Sequence, residues 1–69
     1  MLKLSERLLA LRNEKGLKQE EAAREMGVAY RSYRRHEVGE REPDASTLVL
    51  MADFSDITVD YLVGRTDER

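Results

Sequence analysis

The sequence predicts an all-helical fold of five short helices, and three observations carry that reading. Apolar residues recur at helical spacing, as Leu4, Leu8 and Leu11 do, while the strict alternation of a half-buried strand never persists. The single proline, Pro43, stands outside every candidate helix. Glycines 16, 27, 39 and 64 each follow a run of helix formers, where a left-handed residue ends a helix. A chain of 69 residues makes one domain. With no cysteine it has no disulfide, and with a single histidine it offers no zinc ligand set, so no metal and no cofactor is expected. Helix packing remains as the source of stability, with association with a second copy as a further route.

The first helix is expected from about Ser5 to Lys15, with Leu4, Leu8 and Leu11 on one face, Leu9 beside them, and Glu6, Arg7, Arg12 and Glu14 toward water. The second runs from Gln19 to Met26 and the third from Tyr30 to Val38, closed by Gly27 and Gly39. Two helices joined by so short a glycine turn read as a helix-turn-helix over about residues 19–38. Asp44 stands where an N-cap belongs, ahead of a strongly apolar fourth helix from Ala45 to Phe54. Ser55 and Asp56 turn the chain, Thr58 caps a fifth helix from Val59 to Val63, and Asp60 suits its first turn. Residues 1–64 form the domain and 65–69 a short, frayed polar tail.

The net charge of −2 argues against a nucleic-acid partner only as an average. Residues 1–41 hold ten Lys and Arg against seven acids, whereas residues 42–69 hold two against seven. No apolar run approaches the roughly 20 residues of a membrane span and the N-terminus carries no signal-like stretch, so a cytoplasmic protein with no membrane partner is expected. Arg31, Arg34 and Arg35 lie within five positions of the third helix, interleaved with Tyr30 and Tyr33. Such a patch is either a solvated face or a nucleic-acid surface, and an α-helix fits the major groove. Ala23 must be small where the second and third helices cross, and Met26, Val28 and Tyr33 point inward.

The joint spacing of Gln19, Ala23, Gly27, Val28, Glu37, Gly39 and Pro43 resembles the helix-turn-helix of the Cro/CI (lambda repressor-like, XRE) family. The likeness runs on through Gly39-Glu40-Arg41-Glu42-Pro43 and from Val59 to Asp67, nearly the whole chain. It implies a five-helix DNA-binding domain of a phage or prokaryotic transcription regulator, without enzymatic activity or small-molecule cofactor. It implies base contacts by Tyr30, Arg31 and Arg35, the two arginines reading guanines. Backbone contacts fall to Gln19, Lys18, Ala29, Arg34 and, more weakly, Arg41 between Glu40 and Glu42. Arg12 and Glu37 would form a structural ion pair that pins the third helix.

Several positions depart from the family pattern. Lys18 and Ala29 stand where hydroxyl or amide caps are usual, a loss of about 1 kcal/mol each. His36 replaces a residue more often bulky and apolar or aromatic, Tyr33 replaces a β-branched aliphatic, and a lone histidine reads as a semi-buried core residue with a hydrogen bond rather than a ligand or catalyst. The fourth helix is apolar on more than one face, either as plain core or as a dimer contact formed by Leu50, Phe54, Val59, Tyr61 and Val63. The expected function is sequence-specific binding of double-stranded DNA by a homodimer, a repressor on a palindromic operator. The alternative is an antitoxin-like protein-interaction module on the same fold. Either way the sequence reads as a complete small regulator or as the DNA-binding half of a longer one.

Overall fold

The computed structural model describes residues 3–69; the first two positions of the expected domain 1–64 lie outside them. Five helices follow in order: α1 (Leu4–Glu14), α2 (Gln19–Met26), α3 (Tyr30–Val38), α4 (Ala45–Ser55) and α5 (Val59–Val63). The three middle starts and the whole of α5 agree with the sequence reading. Helix α1 begins and ends one residue earlier than expected, and α4 runs one residue further. Ser55 is helical, and the turn rests on Asp56 alone, which takes the left-handed conformation at φ 55°. Aspartate is among the few residues that tolerate that region.

Caps explain the boundaries. Asp44 Oδ1 accepts the Thr47 N–H at 2.9 Å and Thr58 Oγ1 accepts the Tyr61 N–H at 3.0 Å. Lys18 and Ala29 give no side-chain cap, but Glu21 reaches back to accept the Lys18 N–H at 2.9 Å, half of a capping box. Helix α1 packs on α3 and α5, α2 on α3 and α4, and α4 on α5. Tyr33, Leu8, Met51 and Leu62 are the largest fully buried side chains, surrounded by Leu4, Leu11, Met26 and Leu48. Ala22 and Ala23 are buried where α2 meets α3, and Val28 packs at the core margin.

The C-terminal residues differ from the expected frayed tail. Arg7 of α1 donates to the Tyr61 and Thr66 carbonyls and pairs with Asp67 at 2.6 Å, while Arg69 pairs with Glu14. The tail therefore folds back along α1. Tail and helix are about 60 positions apart in sequence, so no local pattern announces the contact. Among the described residues no helix is long and apolar enough to cross a membrane.

Candidate nucleic-acid interface

The turn between α2 and α3 sets the geometry. Gly27 adopts φ 81° and sends the Val28 N–H back to the Ala23 carbonyl at 2.9 Å, so that Val28 and Ala29 suffice to start the next helix. With one side of α3 against α1 and another against α2, its inward residues Tyr33, His36 and Glu37 are buried. Tyr30, Arg31, Arg34, Arg35 and Val38 are exposed on what remains. Arg31, Arg34, Arg35, Val38 and Glu40 line a shallow groove of about 470 Å³. None of the three arginines forms an ion pair among the described residues; Arg34 lies 5.6 Å from the centre of the Tyr30 ring. Ala29 is exposed at the start of α3, directly after the turn, and Lys18 is exposed at the start of α2, at the end of that helix away from the turn.

Behind this face lies a buried polar cluster. Arg12 Nε donates to Glu37 Oε2 and Arg12 Nη2 to Glu37 Oε1, each at 2.9 Å, a fork that fixes α3 to α1. Arg12 Nη1 also donates to the Leu17 carbonyl at 2.8 Å, tying in the α1–α2 connection. Gln19 does not extend freely into solvent: its Nε2 donates to Glu37 Oε1 at 3.0 Å. The Tyr33 hydroxyl is buried near enough to Glu37 and Arg12 to feel both charges, without a well-aligned hydrogen bond. Burial pushes the Glu37 carboxyl up, but Arg12, the Tyr33 hydroxyl and Gln19 outweigh it and hold the group below its ordinary value. Burial pushes the Tyr33 phenol well above its usual range, and the Glu37 charge adds to the effect. Neither the Gln19–Glu37 contact nor Tyr33's place beside it was legible in the sequence, since spacing shows only that these residues share the helix-turn-helix.

Arg41 is exposed in the loop after α3, and its carbonyl accepts from His36 at 2.8 Å. A carbonyl only accepts, so His36 carries its hydrogen on Nδ1. At 5% exposure His36 is a core residue that holds this loop. A groove of about 380 Å³ runs from the helix-turn-helix to Leu50, passing Ser32, His36, Asp44 and Thr47.

The residues expected at a dimer contact divide. Leu50 is 43% exposed, and Val49, which the sequence reading passed over, is 50% exposed. Phe54, Val59 and Val63 pack at the core margin, with the Lys15 ammonium 4.8 Å from the Phe54 ring centre. Tyr61 has another task, because its ring lies under the Arg7 guanidinium at 3.9 Å and the Arg69 guanidinium at 5.4 Å. It anchors the tail to α1 rather than presenting an open apolar surface.

This arrangement of a left-handed turn, an exposed basic α3 and an α1–α3 ion pair coincides with a family profile described as helix-turn-helix, which matches residues 8–62. The chain belongs to the Cro/CI-type helix-turn-helix family. Its all-α, five-helix architecture is the lambda repressor-like fold of that family. This helix-turn-helix chain is 36% identical over 66 residues to the uncharacterized HTH-type transcriptional regulator YqaE of Bacillus subtilis, spanning 94% of the chain and 57% of the relative. It is 39% identical over 69 residues to the cryptic phage CTXphi transcriptional repressor RstR of Vibrio cholerae, across 97% of the chain and 62% of that protein. It is 34% identical over 64 residues to the HTH-type transcriptional regulator AnsR of Bacillus subtilis, across 93% and 55%. These relatives are named as regulators, not enzymes. The helix-turn-helix chain thus spans somewhat more than half the length of the curated relatives it matches.

Proposed function

We propose that this chain is the DNA-binding part of a transcription regulator, a repressor that docks α3 in the major groove of a palindromic operator as a homodimer. The observation that carries this is the α3 surface. Three arginines occupy the exposed face of a helix set off by a sharp turn, and none of them forms an ion pair among the described residues. Arg31 and Arg35, one helical turn apart, read base edges; arginine donates two parallel hydrogen bonds to guanine O6 and N7. Tyr30 sits at the head of the same face and meets a base edge or thymine methyl. The exposed Lys18, the Ala29 backbone, Arg34 and Arg41 contact phosphates, together with Gln19, whose amide nitrogen keeps a second N–H beyond the one given to Glu37. Repression is inferred from the likeness to the transcriptional repressor RstR, and the exposed pair Val49 and Leu50 supports the dimer.

The test is selection from a randomised palindromic DNA pool, followed by binding of wild type, Arg31→Ala and Arg35→Ala. Each substitution should erase the preference for a guanine at its own position and weaken the selected site by about tenfold, the low-to-middle part of the range for a bidentate contact. Unchanged specificity in both variants would sink the assigned readout and favour a protein-interaction module that leaves Arg31 and Arg35 idle.

A further inference from the structure

Polar groups from α1 and α2 converge on one α3 carboxylate. The Glu37 side chain is 4% exposed, and its two oxygens accept from Arg12 Nε and Nη2 at 2.9 Å and from Gln19 Nε2 at 3.0 Å. An ionised carboxylate only accepts, so it settles which end of the Gln19 amide turns inward: the nitrogen faces Glu37. That nitrogen carries two hydrogens. One is held by Glu37, and the other is left for a second acceptor, because Gln19 is the first residue of α2 and only half-buried. Without Glu37 the glutamine would rotate among several rotamers and could offer its oxygen as readily as its nitrogen. An oxygen would repel a phosphate.

We propose that Glu37 is a positioning residue for DNA docking: through Gln19 it holds one N–H donor toward a phosphodiester oxygen, so the buried ion pair sets DNA affinity as well as the fold. This rests on the DNA-binding reading given above. Arg12 holds Glu37 by two hydrogen bonds, and Glu37 in turn orients Gln19. The phosphate-facing group is thereby fixed to the same carboxylate that fixes the recognition helix to α1. Docking of the backbone and of the bases shares one reference point.

The chain offers a clean readout, because Gln19 is its sole glutamine and Asn13 its sole asparagine. Side-chain amide signals in a ¹H–¹⁵N correlation spectrum therefore come from these two residues, with the exposed Asn13 as internal control. In free wild type the Gln19 pair should be displaced from the position of a solvated glutamine, and its second proton should shift again when a selected operator is added. Affinity is then measured on operators carrying a single neutral methylphosphonate at each phosphate in turn. Wild type should lose about tenfold at one phosphate of each half-site, the scale of a hydrogen bond to a charged group. Gln19→Ala and Glu37→Gln should each bind about tenfold more weakly, lose sensitivity at that phosphate, and show no further loss when combined.

A Glu37→Gln protein that keeps wild-type sensitivity at that phosphate overturns the proposal. So does a wild-type Gln19 signal that stays at the solvated position and ignores DNA, a measurement that decides the matter even if Glu37→Gln does not fold. A selected operator with no Gln19-dependent phosphate overturns this inference and leaves the DNA-binding reading standing. Failure to select any operator removes both.

Discussion

At the residue scale the protein concentrates its risk in Glu37. Removing one partner of a buried ion pair costs far more than the pair contributes, because the survivor is left charged and dry. Arg12→Met should therefore destabilise the fold by about 3–5 kcal/mol in urea unfolding, while the double variant Arg12→Met/Glu37→Met should recover part of that loss. The pH dependence has a definite sign. The carboxyl of Glu37 is held below its ordinary 4.5, so the stability it contributes is fully present above that value and is lost as pH falls through the lower folded value. Urea midpoints followed from pH 7 downward should fall more steeply in acid for wild type than for Glu37→Gln; parallel curves would show that other carboxylates dominate. The aromatic rings outside the core follow a separate rule, for Tyr30, Phe54 and Tyr61 each lie against a cation: Arg34, Lys15, and the pair Arg7 and Arg69. Such contacts let aromatic rings remain at a wet surface.

At the scale of elements, helix ends carry different amounts of stability. Asp44 caps α4 through Thr47, so Asp44→Ala should lower stability by about 1 kcal/mol. Glycine ends divide by what surrounds them. A Cβ at Gly27, φ 81°, would meet nothing within 4 Å and costs only backbone strain, about 1–2 kcal/mol. At Gly64, φ 89°, it would also come within 2.9 Å of Lys3 Cβ, so Gly64→Ala should be the more damaging in thermal unfolding. Equal losses would mean that α5 shifts without penalty. These ends were legible because capping and glycine stops are local: Asp44, Thr58 and Gly27 announce themselves within four residues. Long-range features were not. Arg7 reads as one more surface charge in α1, yet it holds the tail through Tyr61, Thr66 and Asp67. Gln19 reads as a backbone-contacting residue at the start of α2, and nothing local shows that its amide faces Glu37, 18 positions away. Lys18 and Ala29 read as missing caps, and the first helix start is met partly by Glu21 instead.

For the whole molecule, the distribution of charge explains how an acidic chain presents a basic face. Glu14, Glu37 and Asp67 are engaged internally by Arg69, Arg12, and Lys3 with Arg7. Asp53, Asp56 and Asp60 are exposed on α4, its end and α5, whereas α3 packs on α1 and α2. In the proposed complex that acidic side weakens nonspecific attraction to a duplex and leaves affinity more dependent on the correct site. Two recognition helices on one face of a duplex need a separation of roughly 34–36 Å, more than the 27 Å longest extent of one chain. In the proposed dimer a second copy supplies the other helix. Val49 and Leu50 are the exposed apolar pair of α4, whereas Phe54, Val59 and Val63 pack at the core margin. Leu50→Glu places a charge on that surface without touching the core. In sedimentation it should shift the chain to monomer, and binding to a palindromic site should weaken by at least about tenfold while a half-site is bound as by wild type. A monomer–dimer balance unchanged by Leu50→Glu would remove α4 from the interface and return its outward leucine to the ordinary scatter of apolar residues on a small protein's surface.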